Sequence, residues 1–548
     1  MKLSLLVLSS LSFANANVSD DSLRRRLSLA KIAGYSPATQ VTDHCAIDMD
    51  QYAIEAELAK KTDSSFLAAE QIYNLGGSSK SFAKITLMTP LTSTVPKGTL
   101  IQGQTSDGMD SFGKAYGTYE KGRNIVRMAY QTSDDQNNHV GCMVGGLPLN
   151  YQQTEGCLAN SGTITIGGSD YNYQYDPATE NKSGRTIAGF SKDAGEKMRL
   201  SCDGCPYKDH QYFYDYYGVD EYGHQWVTAA LNGGQTGYTR GNADFSVYGY
   251  DGKVEAAKKG TLFFNIFMYV IRELEDALDD CERDCLMEDC EDDPVHAWDE
   301  AVCFYTGSIE GQDGVTQNGK LLHQLADKRC HDFKTCGKNG GENEGNAKLN
   351  YDLFNLYALG KFQIQTKKCQ EARGTVSEIT RLMYIPFIQG TLRYAYRVGE
   401  LNGDGGEKSA AEAAVFAAAI LPRVHAANPD AAGIIYDNMK VGATKTSYLE
   451  VRKALESVYG DLGIKCADVG GLWNDGTNSY WKGGAPCGLI GDMDNDEDLI
   501  IISAGSALGG LFLVCFLAIC CARMTQTSST TAVPAKTDLE PITDGELS

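Results

Sequence analysis

Positive charge is in short supply: 49 Lys and Arg stand against 71 Asp and Glu, a net −22 in 548 residues. That balance excludes nucleic acid and anionic lipid surfaces as natural partners and suits attraction of cations. Solubility alone also makes many exported proteins acidic. The signatures of common enzymes are missing too: there is no GxSxG, P-loop, HExxH, or GxGxxG following a strand. Nothing proposes a reaction, so the chain reads as a binding protein rather than an enzyme. Cys202-Asp203-Gly204-Cys205 is the only CxxC, too few ligands for a zinc site, and reads as a disulfide turn. MDNDED (493–498) lacks the glycine and the twelfth-position glutamate of a calcium loop.

Two apolar runs near the ends read as targeting segments. Lys2 and LSLLVLSSLSFA followed by Ala14-Asn15-Ala16 read as a signal peptide over 1–16. Leu499–Ala522 is uncharged and long enough to span a bilayer, preceded by an acidic stalk (491–498) and followed by Arg523. The expected organisation is an ectodomain over 17–490, a single type I span at 499–522 and a cytoplasmic tail over 523–548. Fourteen of the 17 cysteines lie between Cys45 and Cys487, an even number that suits disulfides in an exported ectodomain. Asn181-Lys182-Ser183 is a glycosylation sequon. This places the chain at the plasma membrane with its ectodomain outside.

The patterning is mainly α-helical. Residues 45–85 read as helical, 90–175 as an irregular loop-rich insert with minor β character, and the region beyond 186 as mostly helix. Expected helices include 348–370, 376–398, 408–422 and 446–460. A faint repeat places His-x-Trp before an Ala-containing apolar helix at 224–231 and again at 296–303. It suggests two lobes, roughly 45–260 and 261–487, facing each other across a cleft.

The densest chemistry lies in Pro294–Gly311, PVHAWDEAVCFYTGSIEG. At about 100° per residue, His296 and Glu300 share one helical face, flanked by Asp299 and Cys303, while Trp298, Val302 and Tyr305 fall opposite. A His/carboxylate pair at i, i+4 is a common way for a helix to hold a metal; a surface His–Glu ion pair is the other reading. Tyr216 and Tyr217, ahead of His224, offer phenolates that suit a hard ferric ion. His224 lacks a carboxylate at i+4 and reads as structural. Arg393, Arg397 and Arg423 are candidates to hold an anion beside such a metal, or to form interhelical salt bridges. Glu412 reads as the ion partner of an arginine or as a further ligand. The run Glu273–Asp293, twelve carboxylates and one arginine, reads as a solvated face pinned by disulfides.

HAWDEAVCFYTGS (296–308) resembles the HAWDEAxxFYTGS signature of the algal iron-assimilation family of low-iron-inducible periplasmic or cell-surface proteins. GGSSKSFA (76–83), YYG…W…AAL (216–231) and MYVIRELEDALDDC (268–281) extend the resemblance over roughly 45–490. With a membrane anchor the chain is similar to the diatom phytotransferrin branch, the iron-starvation-induced proteins. The resemblance implies carbonate-dependent Fe³⁺ binding at the cell surface followed by internalisation into endosomal vesicles, with a surface reductase or endocytic machinery as partners. Cys303 stands where the family carries a small residue, which points to an extra disulfide. Two other classes stay open: an adhesive or structural surface glycoprotein, and an imelysin-like helical surface enzyme.

Overall fold

The computed structural model describes residues 31–39, 41–79, 83–104, 108, 110–130, 158–175, 185–283 and 294–488. The expected signal peptide, Asn181, the acidic stalk, the 499–522 span and the tail lie outside these residues.

The chain enters through α1 (Thr42–Cys45), α2 (Ile47–Leu58) and α3 (Asp63–Leu75). A capping box starts α3, with the Thr62 hydroxyl accepting from the Ser65 amide while Ser65 answers the Thr62 amide. Gly76 ends it at φ +62°, where a side chain would collide with the Arg185 carbonyl.

The segment expected to be irregular is instead a closed six-stranded antiparallel barrel. Its strands are β1 (Ala83–Leu87), β2 (Leu100–Gln104), β3 (Asp110–Ala115), β4 (Ile125–Tyr130), β5 (Ser161–Ile166) and β6 (Ser169–Gln174). They run in the order β1-β4-β3-β2-β5-β6, and β1 closes the ring by pairing with both β4 and β6. Ile85, Ile101, Val126, Met128, Ile164 and Tyr173 fill a core separate from that of the helices. Each strand has only five or six residues, and alternating short side chains with Thr, Gly and Ser gives little apolar signal. The Gly167-Gly168 turn, with φ of +55° and +85°, is the visible clue: it joins β5 to β6 as a two-residue hairpin.

Among the described residues from 186 to 488 the chain is mostly helical, as its periodicity predicts. The main helices are α4 (Lys208–Tyr217), α5 (Tyr222–Asn232), α6 (Tyr250–Gly260), α7 (Phe267–Glu282), α8 (Pro294–Thr306) and α9 (Leu322–Phe333). They continue as α10 (Lys348–Gln365), α11 (Cys369–Met383), α12 (Ile385–Gly399), α13 (Gly406–Ala427), α14 (Pro429–Met439) and α15 (Tyr448–Ser457). The single helix expected over 376–398 is two, broken at Tyr384 because Pro386 has no amide to continue α11 and sits in the first turn of α12. Among the described residues α13 alone is long and apolar enough to cross a membrane, and it lies largely buried in the core.

Lobes and a cleft are not shown. The expected boundary at 260/261 falls inside continuous helical backbone, where α6 passes through a π-helical turn (Thr261–Ile266) into α7. One apolar core joins residues from both sides, from Ile32 to Leu472.

The two His-x-Trp units pack alike. Trp226 donates its indole N–H to the Ala256 carbonyl at 3.1 Å and Trp298 to that of Tyr357 at 3.0 Å. Each ring lies on a glycine of the accepting helix: a Cβ on Gly260 would sit 2.6 Å from Trp226, and one on Gly360 2.0 Å from Trp298. Both indoles are almost wholly buried. Truncating Trp298 to Ala should therefore cost about 3–5 kcal/mol of stability. Gly360→Ala should destabilise the parent yet be tolerated in the Trp298→Ala background, a non-additivity that denaturant melts of the three variants will read.

Candidate metal centre

α8 divides as its periodicity predicts. Trp298, Val302 and Tyr305 enter the core, and the Tyr305 hydroxyl donates to Asn350 Oδ1 at 2.6 Å. On the other side, Cys303 forms a disulfide with Cys45, which carries α1 against α8. Residue 44 is thereby delivered to the donor face. His44, His296 and Glu300 present one ligand atom each, all within 4.8 Å of one another.

Glu300 is the centre of the cluster. Its Oε1 lies 3.0 Å from His296 Nε2 and in direct contact with His44 Nε2. Arg185 Nη2 contacts the same His44 nitrogen and stands 3.8 Å from Glu300 Oε1. The side chains of His44, Glu300 and His296 are 4%, 11% and 23% exposed, so solvent reaches the group from the His296 side. His296 Nδ1 is 3.1 Å from the Thr39 hydroxyl, which orients the ring with Nε2 toward Glu300. The two imidazoles meet edge to face at 5.2 Å.

Arg185 is set by the glycine-rich turn after α3. Its amide donates to the Ser79 carbonyl at 2.9 Å, and its own carbonyl passes the bare face of Gly76. Thus the GGSS element, a match noted in the sequence, positions a guanidinium at the centre.

Burial opposes ionisation of Glu300, but His44, His296 and Arg185 outweigh it and hold the carboxyl well below the usual glutamate range. A second layer comes from α7. Burial first, and the Glu300 charge among others, pushes Glu273 up to about 7 despite its 2.7 Å bond from Arg272. Tyr269 lies in the same field, raised by burial and by Glu273 and Glu300.

The remaining candidates are placed elsewhere. Asp299 is committed to the entering chain: Oδ1 accepts from Tyr35 Oη at 2.5 Å, and Oδ2 from the amides of Ala38 and Thr39 and the Thr39 hydroxyl at 2.7–2.9 Å. Tyr305 points into the core. Tyr216 and Tyr217 pack between α4 and α13, the latter donating to the Ala418 carbonyl at 2.7 Å. Arg393, Arg397 and Arg423 form ion pairs with Asp332 (3.1 Å), Asp404 (2.6 Å) and Asp209 (2.7 Å). Glu412 pairs with Lys259 at 2.5 Å. His224 stacks on Tyr73 with a 3.0 Å hydrogen bond, and burial lowers it to about 4, a structural histidine.

Sequence reasoning missed His44 and Arg185. Cys303 was the available signal, but no spacing identifies its partner as Cys45. Cys330, His331 and Cys336 form another compact group, yet the two cysteines are joined as a disulfide and offer no thiolate. The CxxC is likewise a disulfide, Cys202–Cys205, as expected.

No family model, curated protein or solved structure matches the chain.

Two imidazoles and a carboxylate with open positions form a donor set suited to iron or zinc. Because Glu300 is ionised more readily folded than unfolded, its stabilisation is fully present above the ordinary glutamate value, about 4.3, and is lost progressively below it as pH falls toward the depressed folded value. In metal-free denaturant melts, the stability gap between the parent and Glu300→Gln should be open at pH 7 and narrow progressively as the pH is lowered below about 4. A gap independent of pH would show that the carboxylate is not held ionised.

Proposed function

We propose that the chain is a cell-surface ferric-iron-binding receptor in which His44, His296 and Glu300 hold the metal and Arg185 holds carbonate beside it. The observation that carries this reading is the convergence of His44 Nε2, His296 Nε2 and Glu300 Oε1 in a mostly buried group open on one side. Imidazole serves iron as well as zinc, and a bound carbonate supplies the hard oxygens that the protein set has in short supply. The guanidinium of Arg185 provides charge and donors for that anion. The resemblance of 296–308 and 76–83 to the algal iron-assimilation family supports iron over zinc. The uncharged run at 499–522 is the segment that would anchor the receptor, and internalisation would bring iron into an acidified vesicle where protons compete for all three ligands. Asp299, Tyr305, Tyr216 and Tyr217 act in this reading as structural groups.

Titrating the full-length chain with Fe³⁺, with and without bicarbonate, tests the reading. Binding should require bicarbonate and weaken on mild acidification. His44→Ala, His296→Ala and Glu300→Ala should each nearly abolish it. Arg185→Gln should weaken binding chiefly by removing the gain that bicarbonate gives. Thr39→Val, which frees the His296 ring, should cost roughly 10–100-fold in affinity. Zn²⁺ binding tighter than Fe³⁺ and indifferent to bicarbonate would instead assign a zinc centre.

A further inference from the structure

A second site lies away from the metal centre, in a pocket of about 210 Å³ between α6, α9, α12 and α13. Five cationic side chains, Lys258, Lys259, Lys320, Lys328 and Arg329, line it against two carboxylates, Glu55 and Glu412. In a chain of net charge −22 such a concentration of cations is contrary to the overall balance. Phe263 and Phe416 give the pocket an apolar wall, and the Tyr394 ring completes it.

Several of these charges are answered within the protein. Lys258 pairs with Glu255 at 2.8 Å, Lys259 with Glu412 at 2.5 Å and Lys320 with Glu55 at 3.2 Å. The exceptions point to a ligand. Arg329 is only 6% exposed; it pairs with Asp332 through Nη2 at 3.0 Å and lies over the Tyr394 and Phe416 rings, while its Nε and Nη1 have no hydrogen-bond partner among the described residues. A buried guanidinium with unanswered donors is costly unless something completes it. Lys328, exposed at the mouth, has no ion pair among the described residues. Its amine is held below the ordinary lysine range, first by lost hydration and then by repulsion from Lys320, Lys259 and Arg329 against the pull of Glu55. The α9 N-terminus adds partial positive charge, since that helix starts at Leu322 without a side-chain cap.

We infer that this pocket binds a small multivalent oxyanion, a polycarboxylate or a phosphate ester, between Lys328, Lys259 and Arg329. The anion would answer the open positive charge at the mouth and the unanswered donors of Arg329. It shares no residue with the metal centre and stands independently of it.

The test is calorimetry and thermal melting of the full-length chain, metal-free and at matched low ionic strength, with citrate, inorganic phosphate and a chloride control. Citrate or phosphate should bind and raise Tm beyond chloride. Binding of citrate alone identifies a polycarboxylate site, of phosphate alone a phosphate-ester site, and of both a general oxyanion site. Lys328→Gln, an exposed change that leaves the fold intact, should weaken binding at least tenfold, and His296→Ala should leave it unaltered. The inference is overturned if neither anion raises Tm beyond chloride, or if Lys328→Gln binds like the parent. Loss of binding in His296→Ala would place the anion at the metal centre and equally overturn it.

Discussion

The Cys45–Cys303 disulfide joins residues 258 apart in sequence and decides what the N-terminal segment can contribute to the molecule. Closing a loop of that length removes enough unfolded-state entropy to be worth about 5 kcal/mol in the chain-entropy account. It does not act alone. Asp299 of α8 gathers the backbone at residues 38 and 39, and Asp48 of α2 gathers Ser308 Oγ at 2.8 Å and the Ile309 amide at 2.7 Å. Each segment therefore lends the other a buried carboxylate, one on each side of the covalent bond. Between these clasps His44 has little choice but to meet Glu300.

This arrangement is expensive in charge. Asp48 is fully buried, and burial pushes it up to about 7 against the hydrogen bonds from Ile309 and Ser308. Burial also raises Asp299 against its four donors. Glu300 alone of the three is carried in the opposite direction, because it faces two imidazoles and a guanidinium rather than neutral amides. The protein thus separates its carboxylates by role: those that hold the chain together have neutral donors, and the one that can answer a cation sits among groups able to change partners.

The helical wheel of 294–306 made the division of α8 legible: His296 and Glu300 on one side, Trp298 and Tyr305 on the other. Wheel geometry is local, and it is correct wherever only one helix matters. It could not show that Asp299 spends its lone pairs on amides some 260 positions away, nor that His44 completes the group, because both depend on a cysteine pairing that spacing does not encode. Arg393, Arg397 and Arg423 were legible as cations needing partners, but Asp332, Asp404 and Asp209 supply those partners. The barrel was misread for a different reason. Its strands are short, and their inward residues form a core only once the ring closes; before that, Gly- and Thr-rich stretches look like loops. Similarly, α11 and α12 share one apolar periodicity across Pro386, and only the missing amide separates them.

The same clasp that positions the donors limits how they can move, and that has a consequence for the centre's chemistry. Glu300 Oε1 is simultaneously the partner of His296, His44 and, at 3.8 Å, Arg185. In the proposed reading, a metal entering the group would take the carboxylate and both imidazole nitrogens from each other and would find Arg185 beside them. An anion bound there without a cation would meet the negative charge of Glu300, so on that reading a metal and its anion would enter more readily together. The disulfide and the two buried carboxylates tie the N-terminal segment to α8 and the turn after it on both sides of the group. A donor set tied down in this way would lose little freedom on taking up a metal and its anion, which is what the proposed function asks of it.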